Sequence, residues 1–216
     1  MTQQLGSQPL KVSLRRALNA AMALGVASTM AVLFSPTTLQ FADGETSAPV
    51  TQEDCVVTVR EDGGSTVECF DDFRAALAHA TRGDITDAPM TAAEAVRDPE
   101  IRHQLGIGAY YELANHENTT AGSGDILSVE YEHRDLQGNS LIYRGGNGCD
   151  ADRGVEWSVG ELTHWNDEIS SFVGANGCGV KHFEHQNFNG ASTPWSQSDN
   201  YVGDAMNDRT SSIKWR

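Results

Sequence analysis

The 216-residue chain carries 30 Asp+Glu against 15 Lys+Arg, a formal charge of −15. That excess excludes nucleic acid and anionic membrane surfaces as partners, because both would repel it. It suits a cation-rich exterior where bound metal offsets self-repulsion, although an acidic surface also serves simply to keep an exported protein soluble.

No acidic residue precedes Asp43, whereas Lys11, Arg15 and Arg16 are basic and residues 17–34 are apolar apart from Asn19, Ser28 and Thr29. A basic start followed by a modest apolar run predicts a secretory signal peptide over residues 1–42. An uncleaved anchor is the alternative, since the run approaches the spanning length of about 20 residues. Its many alanines and interrupting polar groups disfavour that reading. Thr29-Met30-Ala31 and Gln40-Phe41-Ala42 are two cleavage points, each ending in alanine. The mature protein is therefore expected to be secreted, with no stable membrane association. Cleavage removes three positive charges and no negative one, so the mature chain is more acidic still.

Residues 43–122 read as a small α/β segment with a linker. Cys55–Arg60 and Thr66–Phe70 form a predicted hairpin, with Gly63 and Gly64 in the turn. Folding at residue 62 sets Cys55 opposite Cys69, a geometry that accepts a disulfide. Phe73, Ala76, Leu77 and Ala80 recur at helical spacing, and Gly83 is a stop signal. Thr91 with Glu94 makes a capping box, and Asp98-Pro99 restarts a helix that Gly106 ends. The block is too small to be very stable alone and is expected to lean on its disulfide or on the next domain. Asn115–Asp125 is polar and reads as a linker or exposed loop.

Beyond residue 123 short runs alternate with Gly, Asn and Asp clusters: Ile126–Tyr131, Ser140–Arg144, Val155–Ser158, Ile169–Val173, Val180–Phe183, Ala191–Trp195 and Ser212–Trp215. That spacing predicts an all-β sandwich or barrel. The region also states itself twice. Tyr131-Glu132-His133 with Leu136, Gly138 and Ser140 matches Phe183-Glu184-His185 with Phe188, Gly190 and Ser192. Each copy is followed by a second signature, Asn166-Asp167-Glu168-Ile169-Ser170-Ser171 and Asn207-Asp208-Arg209-Thr210-Ser211-Ser212. An internal repeat fixes the structural unit, here two four-stranded motifs packed face to face. The oxygen-rich loops suit a hard cation.

Export permits the four cysteines to pair. With Cys55 bonded to Cys69, Cys149 and Cys178 form the second bridge, one from each repeat; four cysteines allow three connectivities. Thiolate metal binding is the alternative, without a Cys-x-x-Cys pair to support it.

Residues 123–216 resemble the microbial βγ-crystallin domain family, secreted calcium-binding members of which occur in actinobacteria. Its Greek-key motif has two aromatics five apart and a glycine two further on; Phe183, Phe188 and Gly190 meet it, and Tyr131, Leu136 and Gly138 meet it with leucine in the second aromatic position. Its calcium signature, Asn/Asp-Asn/Asp-x-x-Ser/Thr-Ser, is met by 166–171 and 207–212. The resemblance implies an all-β βγ-crystallin domain of two Greek keys, preceded by the small α/β block. It implies two Ca2+ sites shared between the motifs. One would use the carbonyls of Glu132 and Glu168, the Ser170 hydroxyl and the Asp208 carboxylate. The other would use the carbonyls of Glu184 and Arg209, the Ser211 hydroxyl and the Asp167 carboxylate. One carboxylate per ion implies dissociation constants from micromolar to about millimolar. The positive charge of Arg209 makes the second site the weaker one. Serines in such loops also bond neighbouring backbone and can hold a turn without an ion.

Other constellations carry less. His182 and His185 point to opposite faces of a strand and lack His-Glu-x-x-His spacing. Asp150, Asp152, Gly154 and Glu156 imitate the start of an EF-hand with the glycine out of register. Trp157, Trp165, Trp195 and Trp215 read as core or edge aromatics, with a carbohydrate-stacking strip as the weaker alternative. No nucleophile, base and oxyanion donor come together, so the expected class is a binding protein and not an enzyme. Calcium ions are the expected partners, with a secreted protease or a cell-wall glycan as alternatives. A metalloproteinase inhibitor of the same fold, presenting the 145–154 insertion around Cys149, is the rival reading.

Overall fold

The computed structural model describes residues 53–108, 125–150 and 152–216. The expected signal peptide and its cleavage points, most of the linker and the boundary at 122–123 lie outside the described residues.

The N-terminal hairpin pairs β1 (Asp54–Val59) with β2 (Ser65–Phe70), and Cys55 stands directly opposite Cys69. Helix α1 (Phe73–Ala80) begins where the Asp72 carboxylate accepts the Ala75 N–H. Its apolar stripe of Phe73, Ala76, Leu77 and Ala80 is wholly buried, as the helical spacing requires. Thr91 and Glu94 cap α2 (Ala92–Ala95), and the Asp98 carboxylate caps α3 (Pro99–Gln104). Gly106 ends this block at φ +60°, and a Cβ there would come within 3.1 Å of Asn176 backbone. Only glycine permits that approach, which docks the end of the helical block on the β region.

The β region runs β3 (Ile126–His133), β4 (Gln137–Arg144), β5 (Trp157–Val159), β6 (Ser171–Gly174), β7 (Val180–His185), β8 (Asn189–Ser192), β9 (Ser198–Asp199) and β10 (Ser212–Trp215). The first sheet has the order β2-β1-β4-β3-β6-β9 and the second β5-β10-β7-β8. Each motif of four strands therefore lends its third strand, β5 or β9, to the sheet of the other. This is a double Greek key whose halves cannot separate without breaking both sheets. β9 leaves no signal in the sequence, because two residues are too short to show alternation.

The hairpin does more than precede the sandwich. β1 runs parallel to β4, with Cys55 beside Leu141 and Val57 beside Tyr143, and so extends the first sheet. Alternation along these strands sends side chains to two cores. Val57, Leu127, Leu141, Tyr143 and Phe172 meet Trp157, Val180, Ile213 and Trp215 between the sheets. Val56, Ile126, Tyr131, Ile142 and Val173 face outward, where Phe73, Leu77, Ile101 and Leu105 cover them. The described residues thus stack in three layers, helices on sheet on sheet. Tyr131 is fully buried beneath the helices, and its hydroxyl donates to the Ala92 carbonyl at 3.4 Å.

Two bridges join the expected pairs, Cys55–Cys69 and Cys149–Cys178, and no free cysteine remains among the described residues. The second ties the insertion after β4 to the turn before β7. Between the sheets lies a polar knot. Glu130 on β3 and His182 on β7 are equivalent positions of the two motifs and meet at 3.0 Å, both fully buried. The Ser128 hydroxyl donates to the other Glu130 oxygen at 2.6 Å and accepts the Trp215 indole N–H at 3.0 Å. Among the described residues, no helix is long and apolar enough to cross a membrane.

Candidate metal centre

The two Asn-Asp-x-x-Ser-Ser loops occupy equivalent places, and each of their serines has a distinct task. The last serine of each loop holds a hairpin. The Ser171 hydroxyl donates to the His133 carbonyl at 2.6 Å and accepts the Leu136 N–H at 3.1 Å. The Ser212 hydroxyl donates to the His185 carbonyl at 2.7 Å and accepts the Phe188 N–H at 3.0 Å. This is the scaffolding role that serines can play without an ion.

The preceding serine does something else. The Ser170 hydroxyl donates to Asp208 Oδ1 at 3.3 Å, and the Ser211 hydroxyl donates to Asp167 Oδ1 at 3.4 Å. Each pair joins one motif to the other. Asp167 and Asp208 sit at φ +64° and +54°, a left-handed conformation that aspartate tolerates better than most residues. Their N–H groups donate to the Thr210 and Ile169 carbonyls, so each loop is laid against the opposite one. Asn166 and Asn207 then steady the carboxylates, donating to Asp167 Oδ2 at 2.7 Å and to Asp208 Oδ2 at 2.6 Å.

The structure brings the eight sequence-selected residues into two clusters. Glu132, Glu168, Ser170 and Asp208 line one surface cavity of about 470 Å³, together with His133, Arg134, Tyr201 and Asn207. Of the last four, His133 belongs to the first repeat motif and Asn207 to an Asn-Asp-x-x-Ser-Ser loop, whereas Arg134 and Tyr201 belong to neither. Tyr201 carries no motif, but its hydroxyl donates to Asp204 at 2.6 Å, and that bond raises its pKa above the ordinary value. The Arg134 guanidinium lies 4.6 Å over the Tyr201 ring and pairs with Asp135 at 3.5 Å. In the second cluster Ser211 meets Asp167, and Arg209 ion-pairs with Glu184. The Glu184 carboxylate also accepts the Ala191 N–H at 3.0 Å, the main reason its pKa is lowered, with Arg209 adding to the effect.

Glu132 and Glu184 also explain the motif glycines. Their side chains fold across the hairpin turns, accepting the N–H groups of Asn139 and Ala191. Gly190 lies at φ +79°, and a Cβ on it would stand 2.8 Å from His185 and 3.0 Å from Glu184. Backbone conformation and space both demand glycine. The motif aromatics Phe183 and Phe188 meet edge to face at 5.6 Å.

Chemically, the donors selected from the sequence in each cluster are all oxygens: one carboxylate, one hydroxyl and backbone carbonyls. Such a donor set fits a hard divalent cation and not a thiophilic one. The other constellations resolve differently. His182 is buried against Glu130 while His185 is exposed, on opposite faces of β7. The carboxylates of Asp150, Asp152 and Glu156 lie within 4.8 Å of one another. They bond neighbouring backbone N–H groups, and burial followed by the nearby Asp charges raises the Glu156 pKa. Trp157, Trp165 and Trp215 are core residues, whereas Trp195 is partly exposed beneath the Arg216 guanidinium at 4.3 Å.

Two Greek keys that exchange their third strands, with a paired loop at each junction, define a βγ-crystallin fold. Solved structures similar to this chain are domains of that kind. A βγ-crystallin domain from Clostridium beijerinckii is 22% identical, covering 41% of this chain and 95% of its own, with a TM-score of 0.33. One from Flavobacterium johnsoniae is 23% identical, covering 42% and 93%, with a TM-score of 0.31. A βγ-crystallin from Ciona intestinalis is 20% identical, covering 41% and 98%, with a TM-score of 0.31. No family model and no curated protein matches the chain.

Proposed function

We propose that this chain is a secreted calcium-binding βγ-crystallin protein whose ions stabilise the fold. The observation that carries the reading is the reciprocal crossing of the two loops, each aspartate meeting the serine of the other motif. The first site takes the carbonyls of Glu132 and Glu168, the Ser170 hydroxyl and the Asp208 carboxylate. The second takes the carbonyls of Glu184 and Arg209, the Ser211 hydroxyl and the Asp167 carboxylate. Among the described residues, no backbone N–H donates to the Glu168 or Arg209 carbonyls, which supports their assignment. Water completes each ion's shell to six to eight oxygens.

The two sites differ in charge. In the first, Arg134 is drawn over Tyr201 and towards Asp135. In the second, Arg209 is held against Glu184, beside the carbonyls assigned to the ion. A fixed cation there opposes a second one, so the first site binds calcium more tightly. Two disulfides among the described residues support an oxidising, extracellular setting.

The mechanism is linkage. The folded loops bind calcium and the unfolded chain does not, so the ion stabilises the fold by about 2.7 kcal/mol at a hundredfold excess over the dissociation constant. For a chain of this size that is a rise of about 5–10 °C in melting temperature. Thermal unfolding in calcium and in chelator tests this, and coincident curves would refute the proposal.

A further inference from the structure

A second, chemically different cluster lies on the N-terminal hairpin. The pairing of β1 with β2 sets Cys55 opposite Cys69, and the loop between β5 and β6 lays His164 against both. His164 Nε2 is 3.4 Å from Cys55 Sγ and 3.8 Å from Cys69 Sγ. A carboxylate oxygen of Glu53 completes a group of four ligand atoms, all within 4.8 Å of one another. Two sulfurs, an imidazole nitrogen and a carboxylate oxygen are a zinc donor set. Zinc lies about 2.3 Å from sulfur and about 2.0–2.1 Å from nitrogen, so a tetrahedral site spaces the two ligands about 3.5–3.6 Å apart. The two distances from His164 fall on either side of that spacing. Sequence spacing could not reveal this site, because a strand register and a distant loop assemble it.

We propose that Cys55, Cys69, His164 and Glu53 form a redox-gated site for a thiophilic divalent cation of the zinc type. In the oxidised protein the disulfide closes it. Cys55 is buried and Cys69 exposed, so a dithiol reductant reaches the bridge at Cys69. The S–S bond breaks, each sulfur gains an electron and a proton, and the reductant becomes a disulfide. The cation then displaces both thiol protons and bridges two thiolates, the His164 nitrogen and a Glu53 oxygen. This site is independent of the oxygen-lined calcium loops, and its donors select a different class of ion.

Cobalt(II) tests the proposal, because thiolate coordination gives it intense charge-transfer absorption. The full chain with Cys149→Ser and Cys178→Ser, reduced with a phosphine under anaerobic conditions, is expected to show that band on adding one equivalent of cobalt. Unreduced protein should not show it. Wild type carrying Cys55→Ser and Cys69→Ser should lose the band although Cys149 and Cys178 remain. His164→Ala should weaken cobalt binding by about tenfold or more, since losing even an outer-shell partner of a metal ligand costs about 10–100-fold. An absent band, a band surviving in the Cys55→Ser/Cys69→Ser protein, or undiminished affinity in His164→Ala would each overturn the proposal. Far-ultraviolet dichroism follows the fold throughout. A reduced chain that unfolds and binds no cobalt counts against the site equally, since structural zinc couples binding to folding.

Discussion

Replacing Glu130 with leucine removes the carboxylate that faces His182 in the centre of the sandwich. Both side chains are fully buried and 3.0 Å apart, and the Ser128 hydroxyl donates to the same carboxylate. Asp199 also feels His182; burial raises its pKa and the histidine charge lowers it. Breaking a buried pair by removing one partner costs about 3–5 kcal/mol, because the survivor is left uncompensated. His182→Leu should cost a similar amount. The double variant Glu130→Leu/His182→Leu strands only the Ser128 hydroxyl, at about 1–3 kcal/mol. It is therefore expected to be more stable than either single variant. Urea unfolding in chelator, with both disulfides intact, reads these differences. At a slope of about 2 kcal/mol/M, a 4 kcal/mol loss moves the midpoint by about 2 M. Single-variant losses that simply add in the double variant would refute the account of this pair.

Leu77→Ala tests whether the helical layer is structural. Leu77 is fully buried under the first sheet, and a loss of about 2–5 kcal/mol is expected by urea unfolding; less than 1 kcal/mol would show that the helices pack loosely. Alkaline titration tests the two tyrosines buried among the described residues. Burial, with the Glu130 charge behind it, pushes both Tyr131 and Tyr143 well above the ordinary 10.0. Unfolding lets them ionise at that value, so stability is full below about pH 10 and falls above it by about 2.7 kcal/mol per pH unit. Tyr143→Phe should roughly halve that slope, and an unchanged slope would contradict the assignment.

The parts of the fold that local chemistry decides were legible in the sequence. Turn residues set the hairpin register that joins Cys55 to Cys69, and Asp72, Thr91 and Asp98 mark the helix starts by their capping oxygens. The repeat motifs picked out side chains that meet across the two motifs, Ser170 with Asp208 and Ser211 with Asp167. What escaped were interactions between distant segments. Parallel pairing of β1 with β4 leaves no turn signal, since the partners are far apart in the chain. Its trace was the near-continuous apolar runs of Val56-Val57 and Leu141-Ile142-Tyr143, which mark strands buried on both faces. Glu130 carries no motif and His182 is weighed in the sequence only beside His185, so their pairing appears only when the two sheets stack. Tyr201 and Arg134 reach the first oxygen-lined cluster from outside either signature.

The central claim is that two oxygen-lined loop junctions bind calcium unequally. Calorimetric titration of calcium into chelator-stripped protein addresses it directly, using wild type, Asp208→Ala, Asp167→Ala and the double variant. Two ions per chain are expected, with affinities between micromolar and about millimolar. Asp208→Ala should remove the tighter ion, Asp167→Ala the weaker one, and the double variant both. Absence of binding at millimolar calcium, or unchanged binding in the double variant, would contradict the account.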